Sequence, residues 1–112
     1  MSFQLTSKDI RLVDNHILVA SCQGPEGWHD STIDLDDFIG NTDGEFRTDI
    51  DRNFSHSAES VSLIIGQDKV TLLASLRKWD GSWNTAQILN LSEMISNNGG
   101  NLFLIDDYVG GP

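Results

Sequence analysis

Cysteine is nearly absent. Cys22 is the one thiol in 112 residues, so no disulfide closes within the chain, and the fold must stand on packing and hydrogen bonds. Basic residues are also scarce, 7 against 17 acidic ones, for a formal charge of −10 and a pI near 4.3. A surface of that sign repels phosphate, which argues against nucleic acid and anionic membrane as partners. No apolar run approaches the roughly 18 residues a transmembrane helix needs. The opening Met1-Ser2-Phe3-Gln4-Leu5-Thr6 has no basic region leading into an apolar core, so no secretory signal is visible. With no internal disulfide either, a cytoplasmic location is the expectation. Nothing in the chain has the period of a long helix.

What the chain does contain is a repeated pattern. Leu35, Ile39, Asn41 and Gly44 return as Leu91, Ile95, Asn97 and Gly100, each pair 56 positions apart. Each copy reads as a strand, a short helical turn, Asn-x-x-Gly and a return to alternation. Upstream, Phe3/Phe54, Ile10/Val61 and Leu12/Leu63 are 51 apart, and Leu18/Leu72, Ala20/Ala74 and Cys22/Leu76 are 54 apart. A pattern this detailed, met twice in order, marks a duplicated unit. A copy of about fifty residues is too small for a comfortable core of its own. One domain over 1–112 with a shared core is therefore expected, with repeats at about 3–50 and 54–105 and a tail at 106–112.

Ile10/Leu12 and Val61/Leu63 alternate with polar residues, as half-buried strands do. Asp14-Asn15 and the longer Gly66-Gln67-Asp68-Lys69 are the turns that follow, leading to strands at Ile17 to Cys22 and Val70 to Leu76. Gly24-Pro25-Glu26-Gly27 and Trp79-Asp80-Gly81-Ser82 supply the next turns, and a further strand follows each. Asp36 and Ser92 are the expected caps of the two helical turns. The fold class is all-β, two pseudo-symmetric repeats intertwined in one domain.

Few residues point to catalysis or metal. His16, His29 and His56 lack metal-ligand spacing and read as scattered surface residues, so no metal and no cofactor is expected. Asp49-x-Asp51-x-Asn53 hints at a calcium loop, but Phe54 stands where Gly is required and Ser60 where the bidentate Glu belongs. Asp34, Asp36 and Asp37 read as a solvated face or caps. Cys22, opposite Leu76 in the pattern, reads as a small buried apolar residue. Trp28, Trp79 and Trp83 read as hairpin packing in preference to a sugar-stacking platform. Asp43 and Glu45, two apart across a tight turn, are poorly placed to act as a glycosidase pair. The protein is not expected to be an enzyme.

The ordered set from Phe3 through Asn41-x-Asp43-Gly44 to Asn53-Phe54, repeated from Phe54 through Leu102, resembles the cyanovirin-N homology (CVNH) family of lectins. Asp80-Gly-Ser-Trp-Asn-Thr85 resembles the family's turn between strands. The resemblance implies that each half is a three-stranded sheet plus a hairpin, with strands exchanged between repeats. Founding-type members carry a disulfide in each repeat. The positions that would pair here are Ser7 with Cys22 and Ala58 with Leu76, so neither bond can form and the resemblance is to a disulfide-free member.

The resemblance further implies binding of mannose-rich glycans, in particular terminal α1,2-linked mannose, without catalysis. Carried over by position, one pocket uses Gly40, Asn41, Thr42 and Asp43, with Asn53, His56 and Ser57, and Arg77 and Lys78 from a neighbouring hairpin. The weaker pocket uses Ser2, Thr6, Gln23, Gly24, Asn97, Asn98 and Gly99, with Gly99 standing where a carboxylate is expected. Mannose-containing oligosaccharides or glycoproteins are the implied partners. The alternative is a protein-interaction or structural module on the same scaffold with little sugar affinity. Repeats of this kind can exchange between chains; the hinge at 48–52 holds no proline, so a monomer is expected, with a domain-swapped dimer as the alternative.

Overall fold

Polar and apolar residues alternate in the outer strands of both repeats, while the central strands are buried almost throughout. The computed structural model describes residues 3–48, 51–66 and 69–105. Repeat one opens with a 3-10 turn, Phe3–Thr6. It continues as β1 (Ser7–Val13), β2 (Ile17–Gly24) and β3 (Gly27–Asp34), a 3-10 turn at Leu35–Asp37, and the hairpin β4 (Gly40–Thr42) and β5 (Glu45–Arg47). Repeat two copies this order: Phe54–Ser57, β6 (Ala58–Ile65), β7 (Val70–Arg77), β8 (Trp83–Asn90), Leu91–Glu93, β9 (Ile95–Asn98) and β10 (Asn101–Leu104). Strands β1-β2-β3 and β6-β7-β8 form two antiparallel sheets, and β4-β5 and β9-β10 form two-stranded ladders.

The hairpins cross over. β5 packs on β8 of the second sheet, whereas β10 packs on β3 and β2 of the first. One half of the molecule is thus β1–β3 with β9–β10, and the other is β6–β8 with β4–β5. Phe3, Leu18, Leu35 and Ile39 share one buried cluster with Phe54, Leu72, Leu91 and Ile95. Each such side chain contributes about 1.5–3 kcal/mol of burial, and neither repeat supplies the whole set. This is the single shared core expected from size.

Glycine permits the crossing. A Cβ on Gly44 (φ 86°) would lie 2.8 Å from Lys78 Cγ and 2.9 Å from Asn84 Cβ. At the matching Gly100 (φ 103°) it would lie 3.3 Å from His29 Cβ. Both positions need a left-handed backbone and room for a neighbouring strand, and glycine meets both needs.

Three register details escape the alternation pattern. Both β1 and β6 carry a bulge, where Asp9 (φ 55°) and Ser60 (φ 54°) sit in the register shift against the central strand. Strand β8 carries another, absent from β3, at Ala86 (φ 58°). The offset between repeats therefore grows from 54 at Gln23/Arg77 to 55 at Trp28/Trp83 across the longer turn. It reaches 56 beyond Ala86.

The helical turns are capped two residues earlier than expected. Asp34 accepts from the Asp36 N–H and Asn90 from the Ser92 N–H, both at 3.0 Å. Asp36 and Ser92 lie inside the turns and are buried, because a 3-10 turn of three residues leaves its N-cap on the strand residue before it. Asp36 reaches across to repeat two, accepting the Ser55 N–H at 3.0 Å and the Ser55 hydroxyl. His16 is not a scattered surface histidine. Its Nδ1 lies 2.7 Å from Asp34 Oδ1, and that bond holds the imidazole pKa above the usual 6.5 against a smaller opposing effect of burial.

Candidate functional site

Two asparagines organise the turns that the sequence singled out. Asn41 Nδ2 donates to Ser57 Oγ at 2.9 Å, Ser57 O at 3.3 Å and Arg77 O at 2.9 Å, while its Oδ1 accepts the Gly44 N–H at 2.8 Å. Asn97 repeats this bond for bond. It donates to Thr6 Oγ1 at 3.0 Å, Thr6 O at 3.3 Å and Gln23 O at 3.0 Å, and accepts the Gly100 N–H at 2.8 Å. Each amide ties three elements together: the 3-10 turn that opens one repeat, the sheet it leads into, and the hairpin from the other repeat. Both amide hydrogens and the carbonyl are engaged, so the residue holds the turn in shape.

Around Asn41 the structure brings together Thr42, Asp43, Ser57, Arg77 and Lys78, with Asn53 and His56 exposed on the adjoining 3-10 turn. Thr42 Oγ1 donates to Asp51 Oδ2 at 3.0 Å. Asp43 sits in the left-handed region (φ 49°), and its Oδ1 accepts the Trp79 N–H at 2.9 Å. Its other oxygen has no hydrogen-bond partner among the described residues. Gly40 is placed differently. It is buried beneath the linker, and a Cβ there would lie 2.3 Å from the Asp51 carbonyl carbon. It shapes the approach to β4 from below.

Around Asn97 lie Thr6, Gln23, Gly24, Asn98 and Gly99. Ser2 falls outside the described residues, as do Asp49 and Ile50 of the hinge and of the calcium-like run. Gly99 (φ 62°) matches Asp43, and Pro25, which has no N–H, matches Trp79. The carboxylate and the amide that meet in one half are therefore both missing in the other. A cavity of about 270 Å³ opens there, lined by Gly24, Pro25, Glu26, Trp28, His29, Gly99 and Asn101 among others.

Glu26, Trp28, His29 and Asn101 were not among the sequence candidates, because only the crossover brings β9–β10 onto the β2–β3 turn. The single local hint was a Trp one position after each hairpin turn. Trp28 and Trp83 pack at the hairpins, each beside a cationic side chain, and remain part-exposed. Trp79 is 80% exposed and Trp28 51%, with the Lys8 ammonium 4.3 Å from the Trp28 ring centre. Arg77 lies over Trp83 at 5.7 Å. An exposed ring beside fixed hydrogen-bonding groups suits a ligand with both apolar faces and hydroxyls.

Comparison with known proteins agrees with this architecture. The chain is 34% identical over 104 residues to a cyanovirin-N homolog of Neurospora crassa, spanning 87% of this chain and 92% of that protein. The solution structure of the Gibberella zeae CVNH protein superposes with a TM-score of 0.78 at 42% identity, covering 91% of this chain and 95% of that one. Microvirin, in its complex with mannobiose, superposes with a TM-score of 0.81 at 31% identity, covering 93% and 98%. The model of the CVNH domain matches residues 3–103. Ser7 faces Cys22 and Ala58 faces Leu76 across their ladders, and Cys22 is a free buried thiol. The chain belongs to the cyanovirin-N homology family of lectins, as a disulfide-free member.

Proposed function

We propose that this protein binds mannose-rich glycans, with terminal α1,2-linked mannose as the preferred unit, and does so without catalysis. The observation that supports this most directly is the Asp43 turn. A carboxylate is held at φ 49° by the Asn41 amide network and by the Trp79 N–H, with its second oxygen unengaged among the described residues. A sugar hydroxyl both donates and accepts, so it needs groups fixed before it arrives. Asp43 accepts from one hydroxyl; Asn53, His56, Ser57, Arg77 and Lys78 surround it, and Asn41, Thr42 and Gly40 keep the frame. The mannobiose complex of microvirin lends the substrate class.

The half with Thr6, Gln23, Gly24, Asn97, Asn98 and Gly99 is the weaker site, since Gly99 supplies no carboxylate. The protein acts as a monomer on mannose-containing oligosaccharides or glycoproteins; a swapped dimer would be seen as a doubled mass by light scattering. Among the described residues no helix is long and apolar enough to cross a membrane.

Titration with α1,2-mannobiose by NMR tests the reading. Shifts confined to Asn41–Asp43 and Asn53–Ser57 are expected. Asp43→Asn keeps tolerance of the left-handed backbone, which Asp43→Ala would strain, and weakens binding by about tenfold or more. Silence at millimolar sugar, a binding energy under about 4 kcal/mol, would favour the protein-interaction module instead.

A further inference from the structure

We propose that His16, Asp34 and Asp36 form a site for one divalent transition-metal ion of the zinc type, at the seam between the repeats. Strand pairing assembles it. Ile17 of β2 faces Asp34 of β3, which places the preceding His16 beside the end of β3 and the turn that follows. His16 Nδ1 lies 2.7 Å from Asp34 Oδ1 and 3.5 Å from Asp36 Oδ2. One ligand atom from each of the three residues falls within 4.8 Å of the others. Around a tetrahedral zinc at 2.0–2.1 Å, ligand atoms stand about 3.3 Å apart, so small side-chain rotations suffice. Imidazole nitrogen and carboxylate oxygen both ligate zinc, and three protein ligands with a fourth position for water is the arrangement of open zinc sites.

Two observations separate this trio from an ordinary surface ion pair. First, Asp36 is 5% exposed and held from behind. Ser55 donates its N–H to Oδ1 and its hydroxyl to Oδ2, the kind of outer-shell support that orients a metal ligand. A second lone pair on Oδ2 is left toward His16.

Second, the other repeat is an internal control. At the matching positions it has Val70, Asn90 and Ser92, and it builds the same capped turn with the same 3.0 Å bond. The turn needs neither the imidazole nor the two charges, and the neutral set has nothing with which to hold a cation. Magnesium and calcium prefer six or more oxygens, which three residues do not provide.

The full-length protein, stripped with a chelator, is titrated with zinc chloride by calorimetry and followed by NMR. One equivalent is expected to bind, with shifts at His16 and at the Ser55 amide, and no such response to magnesium. His16→Val and Asp34→Asn each install the residue that the second repeat uses at that position. Both are expected to weaken binding by more than about tenfold while the chelated variants unfold cooperatively. Should His16→Val fail to fold, Asp34→Asn, which keeps the capping oxygen, decides. Three results would overturn the site: no heat at millimolar zinc, unchanged affinity in Asp34→Asn, or an equal response to magnesium. The sugar reading stands or falls separately.

Discussion

The two halves keep one scaffold and differ at its rim. The half built on β6–β8 has a carboxylate and an amide that bond each other across the cleft, Asp43 and the Trp79 N–H at 2.9 Å. The half built on β1–β3 has Gly99 and Pro25 in those places, and a cavity between them. The Asn41 and Asn97 networks, by contrast, match in every partner and nearly in every distance. Bonds that hold three chain segments together occur in both halves, while the carboxylate and amide that face solvent occur together in one half only. The lesson is that the half without the carboxylate also lacks the amide, so no polar group is left orphaned there.

If the asparagines are true equivalents, their removal should cost the same. Asn41→Ala and Asn97→Ala each break the same set of bonds around a turn and leave backbone groups unpaired. Each is expected to destabilise the protein by about 3 kcal/mol, summing the loss over several groups. Urea unfolding of both variants measures this, and a difference well beyond the error would break the symmetry.

The halves differ again beneath the sheets. Ser7 lies opposite Cys22 with its hydroxyl 3.5 Å from the sulfur. Ser7→Cys should therefore oxidise to a disulfide and stabilise the fold by about 3 kcal/mol, the value for a loop of roughly 15 residues. Thermal unfolding with and without reductant checks it. A smaller gain is expected from Ala58→Cys with Leu76→Cys, since that pair also removes a buried leucine.

Strand β8 alone carries the bulge at Ala86, φ 58°. Alanine is strained there and glycine is not, so Ala86→Gly is expected to stabilise by about 1 kcal/mol. A loss of stability would mean that the methyl group packs usefully. The smallest effect concerns the longer turn. Bonds from the Ser82 hydroxyl and N–H hold the Asp80 carboxyl below its ordinary 3.8. A depressed carboxylate stabilises above its unfolded pKa and loses that contribution as pH falls through the folded one. The Ser82 amide should therefore shift with a midpoint below 3.8.

Much of the fold was legible because strands have a period of two and turns need particular residues. The repeat, the hairpins and the all-β class follow from Leu35/Leu91, Asn41/Asn97 and Gly44/Gly100. The buried Cys22 also followed, from the leucine that matches it. Asp36 was misread, because a three-residue 3-10 turn has too little periodicity to show which acid faces in. The step in the offset from 54 to 56 was visible, but its division between a turn residue and the Ala86 bulge was not. Bulges leave only a one-residue insertion, which the alternation absorbs.

The residues alone therefore determined local form: where strands run, where they turn, and that the chain is written twice. Only the tertiary structure decided which hairpin serves which sheet, and with it what surrounds Asn41 and Asn97. The reason is that residues such as Asn41, Ser57 and Arg77 are far apart along the chain and joined by packing. No local spacing records a contact made when two repeats trade hairpins.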